Sequence, residues 1–323
     1  MIKWFGCTLL LISAQALAND STATLTAGGL RLKQTDAIAM AEEILQIRSL
    51  PEGKADADFE IVVDYLFRNV TAQPVQETIA FPMPEQPGEC TQNQGDQAHF
   101  DRRSFRLTVD GQPVATRQQL QARLEGRGDI TAALFKLGLT PAQLESAYAS
   151  LPGSLQRKLV KAGFASAEDE CNRWSTQWVY VWEQTFPPGR DLRVHHRYVP
   201  AAGGAANANY VPPDERGSGK ALPPLAYPEG WQHNVASYCM GSTEQQRFRR
   251  VPAYRNVGYV LKTGANWAGP IRQFTLRIQT AQPEEKISLC WQGISKVSPT
   301  VYESVKRDFM PQQDLDILFY TPD

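Results

Sequence analysis

The sequence predicts a mainly β protein, an antiparallel β-sandwich carrying a small α-helical insert. Three observations lead there. Apolar and polar residues alternate with period two over several stretches, of which "DFEIVVDYLF" is the clearest. Asn, Asp, Gly and Pro punctuate those stretches at short intervals, as they do between the strands of a sandwich. One central block switches to helical spacing with capping residues at its ends. In 323 residues, 42% hydrophobic side chains suffice for one large core or two modest ones.

The chain opens "MIKWFGCTLLLISAQALANDS". Lys3, an apolar run from Phe5 to Ile12 and the small-x-small triplet Ala16-Leu17-Ala18 form the pattern of a signal peptide cleaved after Ala18. The run is too short for a stable membrane anchor, and Cys7 lacks the small neighbours of a lipidation site. The expected organisation is a signal peptide over 1–18, an N-terminal β segment over 19–115, a helical insert over 116–170 and a C-terminal β segment over 171–323 that packs with the first. A long Pro/Gly/Ala loop is expected over 200–230, mobile or lid-like, because strands of the same kind continue after it.

In "DFEIVVDYLF", Phe59, Ile61, Val63, Tyr65 and Phe67 share one face. "QETIAFPMP" reads as the returning strand, ended by its prolines. Asp110-Gly111 after "SFRLTV" is the strongest hairpin signal in the chain. In the insert, Asp129 is placed to cap "ITAALFKLG", which Gly138 stops, and Thr140-Pro141 opens the next helix. "WSTQWVYVWEQTF" reads as strand, and at roughly 40 Å of extended chain it is expected to bend or break. "DLRVHHRYV" alternates Leu192, Val194, His196 and Tyr198 with Arg193, His195 and Arg197.

Removing Lys3 from the 33 basic residues leaves 32 against 34 acidic ones, too little positive charge for a general nucleic-acid binder. No later apolar stretch is long enough to span a membrane. Four cysteines remain after the leader: Cys90, Cys171, Cys239 and Cys290. In an exported chain they suggest two disulfides, and three pairings are open. With no CxxC and no zinc-spaced His/Cys cluster, no metal site and no cofactor are expected.

The sequence has no GxSxG elbow, HExxH or P-loop, and "RGSGKA" lacks the strand and spacing of a phosphate loop. Arg193, His195 and Arg197 form a basic stripe suited to a carboxylate, phosphate or acidic glycan, although a solvated sheet face is the better reading. His196 reads as a hydrogen-bonded core histidine. Asp308, Asp314 and Asp316 hint at calcium but lack a glycine-bearing loop, so edge-strand charges are favoured. Trp174, Trp178 and Trp182 suit either a sugar platform or, with greater weight, the core.

The stretch "TGANWAGPIRQFTLRI" puts Asn266, Trp267, Gly269 and Pro270 at the mouth of a strand. Gly264 and Gly269 permit a tight corner, Asn266 can bond within it, and Trp267 either plugs the sandwich end or projects as a ligand anchor. Plugging is the favoured reading and a binding rim the minority one.

Three long segments resemble the exported bacterial family termed domain of unknown function 4424. They are "NDSTATLTAGGLRLKQTDAIAMAEEILQI" continuing to "VVDYLFRNVTAQPVQETIAFPMP", then "VYVWEQTFPPGRDLRVHHRYVP", then "NVGYVLKTGANWAGPIRQFTLRI" running on to "SLCWQGISKVSPTVYESVKRDFMPQQDLDILF". The resemblance spans most of the mature chain and brings no activity or catalytic residues with it. It implies a Cys239–Cys290 disulfide, since both cysteines stand in its motifs, and leaves Cys90 with Cys171.

These readings point to a periplasmic or secreted, non-catalytic binding or envelope accessory module, with an envelope protein, an acidic small ligand or a glycan as partner. The alternative is a hydrolase of envelope glycan or peptide, using His195 or His233 with a nearby carboxylate.

Overall fold

Strand β4 (Phe59–Asn69) shows why the chain folds as it does. Phe59, Ile61, Val63, Tyr65 and Phe67 are all buried, while Glu60, Asp64 and Arg68 face outward, as the alternation requires. A computed structural model describes residues 19–26, 29–51, 57–88, 90, 102–206 and 238–322. The leader, His233, "RGSGKA" and the loop from 207 onward lie outside the described residues; residues 202–206, at the start of the expected loop, form a strand.

The other strands of the N-terminal half are β1 (Ser21–Thr26), β2 (Gly29–Lys33), β3 (Ile38–Ser49), β5 (Val75–Pro82), β6 (Arg106–Val109), β7 (Gln112–Pro113), β8 (Arg117–Leu124) and β9 (Gly128–Asp129). Helices α1 (Thr131–Leu137), α2 (Pro141–Leu144) and α3 (Gly153–Lys161) follow, then β10 (Ser175–Phe186), β11 (Asp191–Tyr198) and β12 (Ala202–Ala206). Helix α4 (Ser242–Phe248) precedes β13 (Ala253–Tyr259), β14 (Ile271–Gln279), β15 (Lys286–Ser288), β16 (Ser295–Ser298), β17 (Val301–Phe309) and β18 (Leu315–Tyr320).

Three sheets result. An eight-stranded sheet runs β16-β17-β14-β3-β4-β11-β6-β7, a six-stranded one β2-β1-β5-β10-β8-β9 and a four-stranded one β12-β13-β18-β15. Pairing is antiparallel except for β3 with β14, which joins the two halves of the chain in one sheet. One apolar cluster takes Ile61, Phe67 and Leu276 from the eight-stranded sheet, Phe81 and Trp182 from the six-stranded one and Ile317 and Phe319 from the four-stranded one. The large sheet therefore forms one layer, and the two smaller sheets cover it.

Local signals work as anticipated at several points. Asp110 and Gly111 both take positive φ, 48° and 78°, in a two-residue hairpin loop. Gly138 ends α1 with φ 103° and Thr140 with Gln143 makes a reciprocal capping box, whereas Asp129, read as the cap of α1, lies one residue before the N-cap Ile130 and accepts from the Thr131 amide at 2.9 Å. Three expectations need revision. Residues 117–124, placed in the insert, form β8, because the polar "RQQLQARL" turns Leu120 and Ala122 into the core between sheet and helices. Strand β10 runs unbroken, held in register along both edges by β5 and β8. Trp174 and Trp182 are core residues, and half-buried Trp178 donates to Glu145 at 2.7 Å, so the row is no exposed platform. Disulfides join Cys90 to Cys171 and Cys239 to Cys290.

Candidate functional site

Strand β3 would present Ile38 and Met40 inward and place Glu42 on the same face, but its register with β4 shifts between Met40 and Glu42. The bulge switches the inward parity, so Glu43, Leu45 and Ile47 point into the core and Glu42 outward. Glu43 thus sits, fully buried, where the three sheets meet.

The segment before β1 fills this junction. Asn19, Asp20, Ser21 and Thr22 have no exposed surface. The Asn19 amide donates to both Glu43 carboxylate oxygens at 3.2 Å, and its carbonyl accepts from the Tyr65 hydroxyl at 2.5 Å and from the Asp20 amide at 2.8 Å. Tyr259 reaches Tyr65 at 3.1 Å from the four-stranded sheet. The corner 262–267 closes the top. Thr263 donates to the Asn19 backbone carbonyl at 2.9 Å, the Trp267 indole to the Asp20 backbone carbonyl at 2.8 Å and the Asn266 amide to the Ser21 hydroxyl at 2.9 Å. A Cβ on Gly264 would lie 2.9 Å from the Asn19 amide nitrogen, so this position has room only for glycine. Trp267 packs on Phe67 with centroids 4.4 Å apart. Trp267 is therefore a plug, facing inward, and the outward ligand anchor loses its side chain.

The electrostatics of the junction are unbalanced. Burial pushes the Glu43 carboxyl up to about 8, only partly offset by the Asn19 and Tyr259 hydrogen bonds. Burial raises Asp20 too, helped by the nearby Glu43 charge, and neither Asp20 oxygen has a hydrogen-bond partner. His196 lies 3.5 Å from Asp20 but is held down to about 3 by its own burial, ringed by Tyr65, Phe81, Phe105 and Trp182. Neither ring nitrogen is hydrogen-bonded, which corrects the expectation of a satisfied core histidine. Sealed in this way, the Asp20–His196 pair is out of reach of any substrate.

One residue away, the outward face of β4 and β11 is the reverse. His195 meets Asp64 at 2.7 Å, Arg197 meets Glu60 at 2.5 Å, and Arg68 holds Asp191 at 2.6 and 2.7 Å. The Arg68 hydrogen bonds lower the Asp191 carboxyl, and exposed Arg193 lowers it further. The stripe Arg193, His195 and Arg197 thus faces carboxylates of its own sheet on an open strand surface. The three aspartates do not converge. Asp314 accepts from the Leu261 and Lys262 amides at 3.0 and 3.1 Å, Asp316 is near it, and Asp308 is exposed.

A concave surface lies elsewhere. Cys239, Cys290, Trp291, Lys306, Phe309 and Gln313 line a pocket of about 610 Å³ beside the second disulfide. The Lys306 ammonium lies 3.9 Å over the Trp291 ring and 5.0 Å from that of Phe309, and burial lowers its pKa. The indole nitrogen of Trp291 is buried without a partner. Sequence reasoning passed over this pocket, whose walls come from three separated segments. The only advance signal was the pairing of two motif-bearing cysteines.

The sequence profile of the family described as domain of unknown function 4424 matches residues 18–318. No curated protein matches the chain. A Legionella pneumophila protein described as a nutrient-binding candidate is similar at 17% identity, covering 94% of this chain and 70% of its own, with a TM-score of 0.48. An M1 zinc metallopeptidase from Deinococcus radiodurans is 9% identical over 89% of this chain and 43% of its own, with a TM-score of 0.33.

Proposed function

We propose that this chain, which belongs to the domain of unknown function 4424 family, is a non-catalytic extracytoplasmic binding or envelope accessory module whose ligand seats in the Trp291 pocket. The observation that carries this reading is the character of the concave surface. It offers an aromatic floor, a lysine and a rim of glutamine amides, and among the described residues that line it no nucleophile and base are placed together. Both histidine–carboxylate pairs among the described residues lie outside it, one on an open sheet face and one sealed in the core. Two disulfides support an oxidising compartment, and among the described residues no helix is long and apolar enough to cross a membrane.

The pocket chemistry suits a glycan fragment bearing a carboxylate. A sugar ring stacks on Trp291, and Lys306 receives the acid. Isothermal titration of the oxidised chain against muramic-acid-containing glycan fragments is expected to give saturable binding. Trp291→Ala is expected to weaken it by about tenfold or more, roughly 1.4 kcal/mol. Lys306→Met is expected to weaken acidic fragments and spare neutral ones. Unchanged affinity in Trp291→Ala contradicts this site, and cleaved fragments in the mass spectrum favour the hydrolase.

A further inference from the structure

We propose that leader removal after Ala18 turns the freed α-ammonium of Asn19 into the counter-ion of the buried Glu43 and Asp20 carboxylates, a latch that fastens the three sheets only in the processed chain. In that step water adds across the Ala18–Asn19 amide under a leader peptidase. The carbonyl leaves as the Ala18 carboxylate, and the nitrogen takes protons to become the ammonium.

The inference stands on geometry. Asn19 and Asp20 are fully buried, and the Asn19 side chain already touches both Glu43 oxygens. Side-chain and backbone nitrogens of one asparagine are at most about 5 Å apart by bond lengths. The α-nitrogen therefore lies within about 8 Å of the Glu43 carboxylate and on the residue adjoining Asp20. Around the two acids stand Tyr65 from β4, His196 from β11 and Tyr259 from β13. Among the described residues neither acid has a lysine or arginine partner. The other buried glutamate is handled differently: Glu285 meets Arg255 at 2.8 Å. Without a cation, burial favours the neutral form of both acids, and the chain has a positive charge to offer at this spot once the bond before Asn19 is cut. Before cutting, that nitrogen is a neutral amide, so the junction of an unprocessed chain is unlatched.

The test compares two full-length mature chains, oxidised alike, one beginning at Asn19 and one carrying a single glycine before it, together with the naturally exported protein. The exported protein is expected to begin at Asn19, and its α-amine to react with an amine-directed ester at least a hundredfold more slowly when native than when unfolded. At pH 7 the glycine-extended chain is expected to unfold with an equilibrium constant at least tenfold larger. Its deficit is expected to shrink on acidification toward pH 5, because the Glu43 carboxylate that the ammonium keeps charged in the mature chain then takes up its proton too, whereas in the extended chain burial already keeps Glu43 protonated at pH 7. Glu43→Gln is expected to remove most of the penalty. Should the extended chain fail to fold, rescue by Glu43→Gln supports the latch and lack of rescue overturns it. A different exported N-terminus, an α-amine labelled as fast as in the unfolded chain, or equal stability of the two chains at pH 7 also overturns it.

Discussion

Two pairs of neighbouring residues divide this molecule into two electrostatic regimes. Glu42 faces outward beside Gln273, whereas Glu43 is buried at the three-sheet junction. His195 pairs with Asp64 at the surface, whereas His196 is buried with its nitrogens unbonded. In β11 simple alternation separates the neighbours, and in β3 a bulge does so. Outward groups keep their water and gain little from a partner. Inward groups lose water, so each needs a hydrogen bond, a changed protonation state or an opposite charge. Polar chemistry that decides stability therefore belongs to the inner face, even though most of the ion pairs are outside.

The largest effect expected on the inner side is Trp267→Ala. It removes a buried ring packed on Phe67 and leaves the Asp20 carbonyl without its donor. A loss of about 3–5 kcal/mol is expected by chemical denaturation. Gly264→Ala is smaller, because its methyl carbon must displace the Asn19 amide or Ile271. A loss of about 1–3 kcal/mol is expected, with a lowered melting temperature as readout. His195→Gln, on the outer side, is expected to change stability by less than about 1 kcal/mol across pH 6–8. A larger change there would blur the division between the faces.

Much of the fold was legible because its signals are local. The alternation of β4, the Asp110-Gly111 hairpin and the Thr140 cap depend on residues a few positions apart, and each forms as read. Strand β8 was not legible, since its glutamines and arginines hide the two inward apolar residues, and neither was the continuity of β10, which its two neighbours impose. At the junction, the inward Trp267 could be read from its glycine-rich corner. Glu43 could not, because a bulge shifts parity by one and no period-two template registers it. Nor could the Trp291 pocket, which a disulfide and two strand ends assemble from segments far apart in sequence.

The most direct test sets one residue of the junction against one of the outer face. Asn19→Ala removes the bonds to Glu43, Tyr65 and the Asp20 amide together, and Arg197→Ala removes an exposed ion pair with Glu60. Urea unfolding of both variants at pH 7 is expected to show Asn19→Ala destabilised by about 2–4 kcal/mol, since buried partners are left unpaired, and Arg197→Ala by less than about 1 kcal/mol. Equal losses in the two variants would contradict the account.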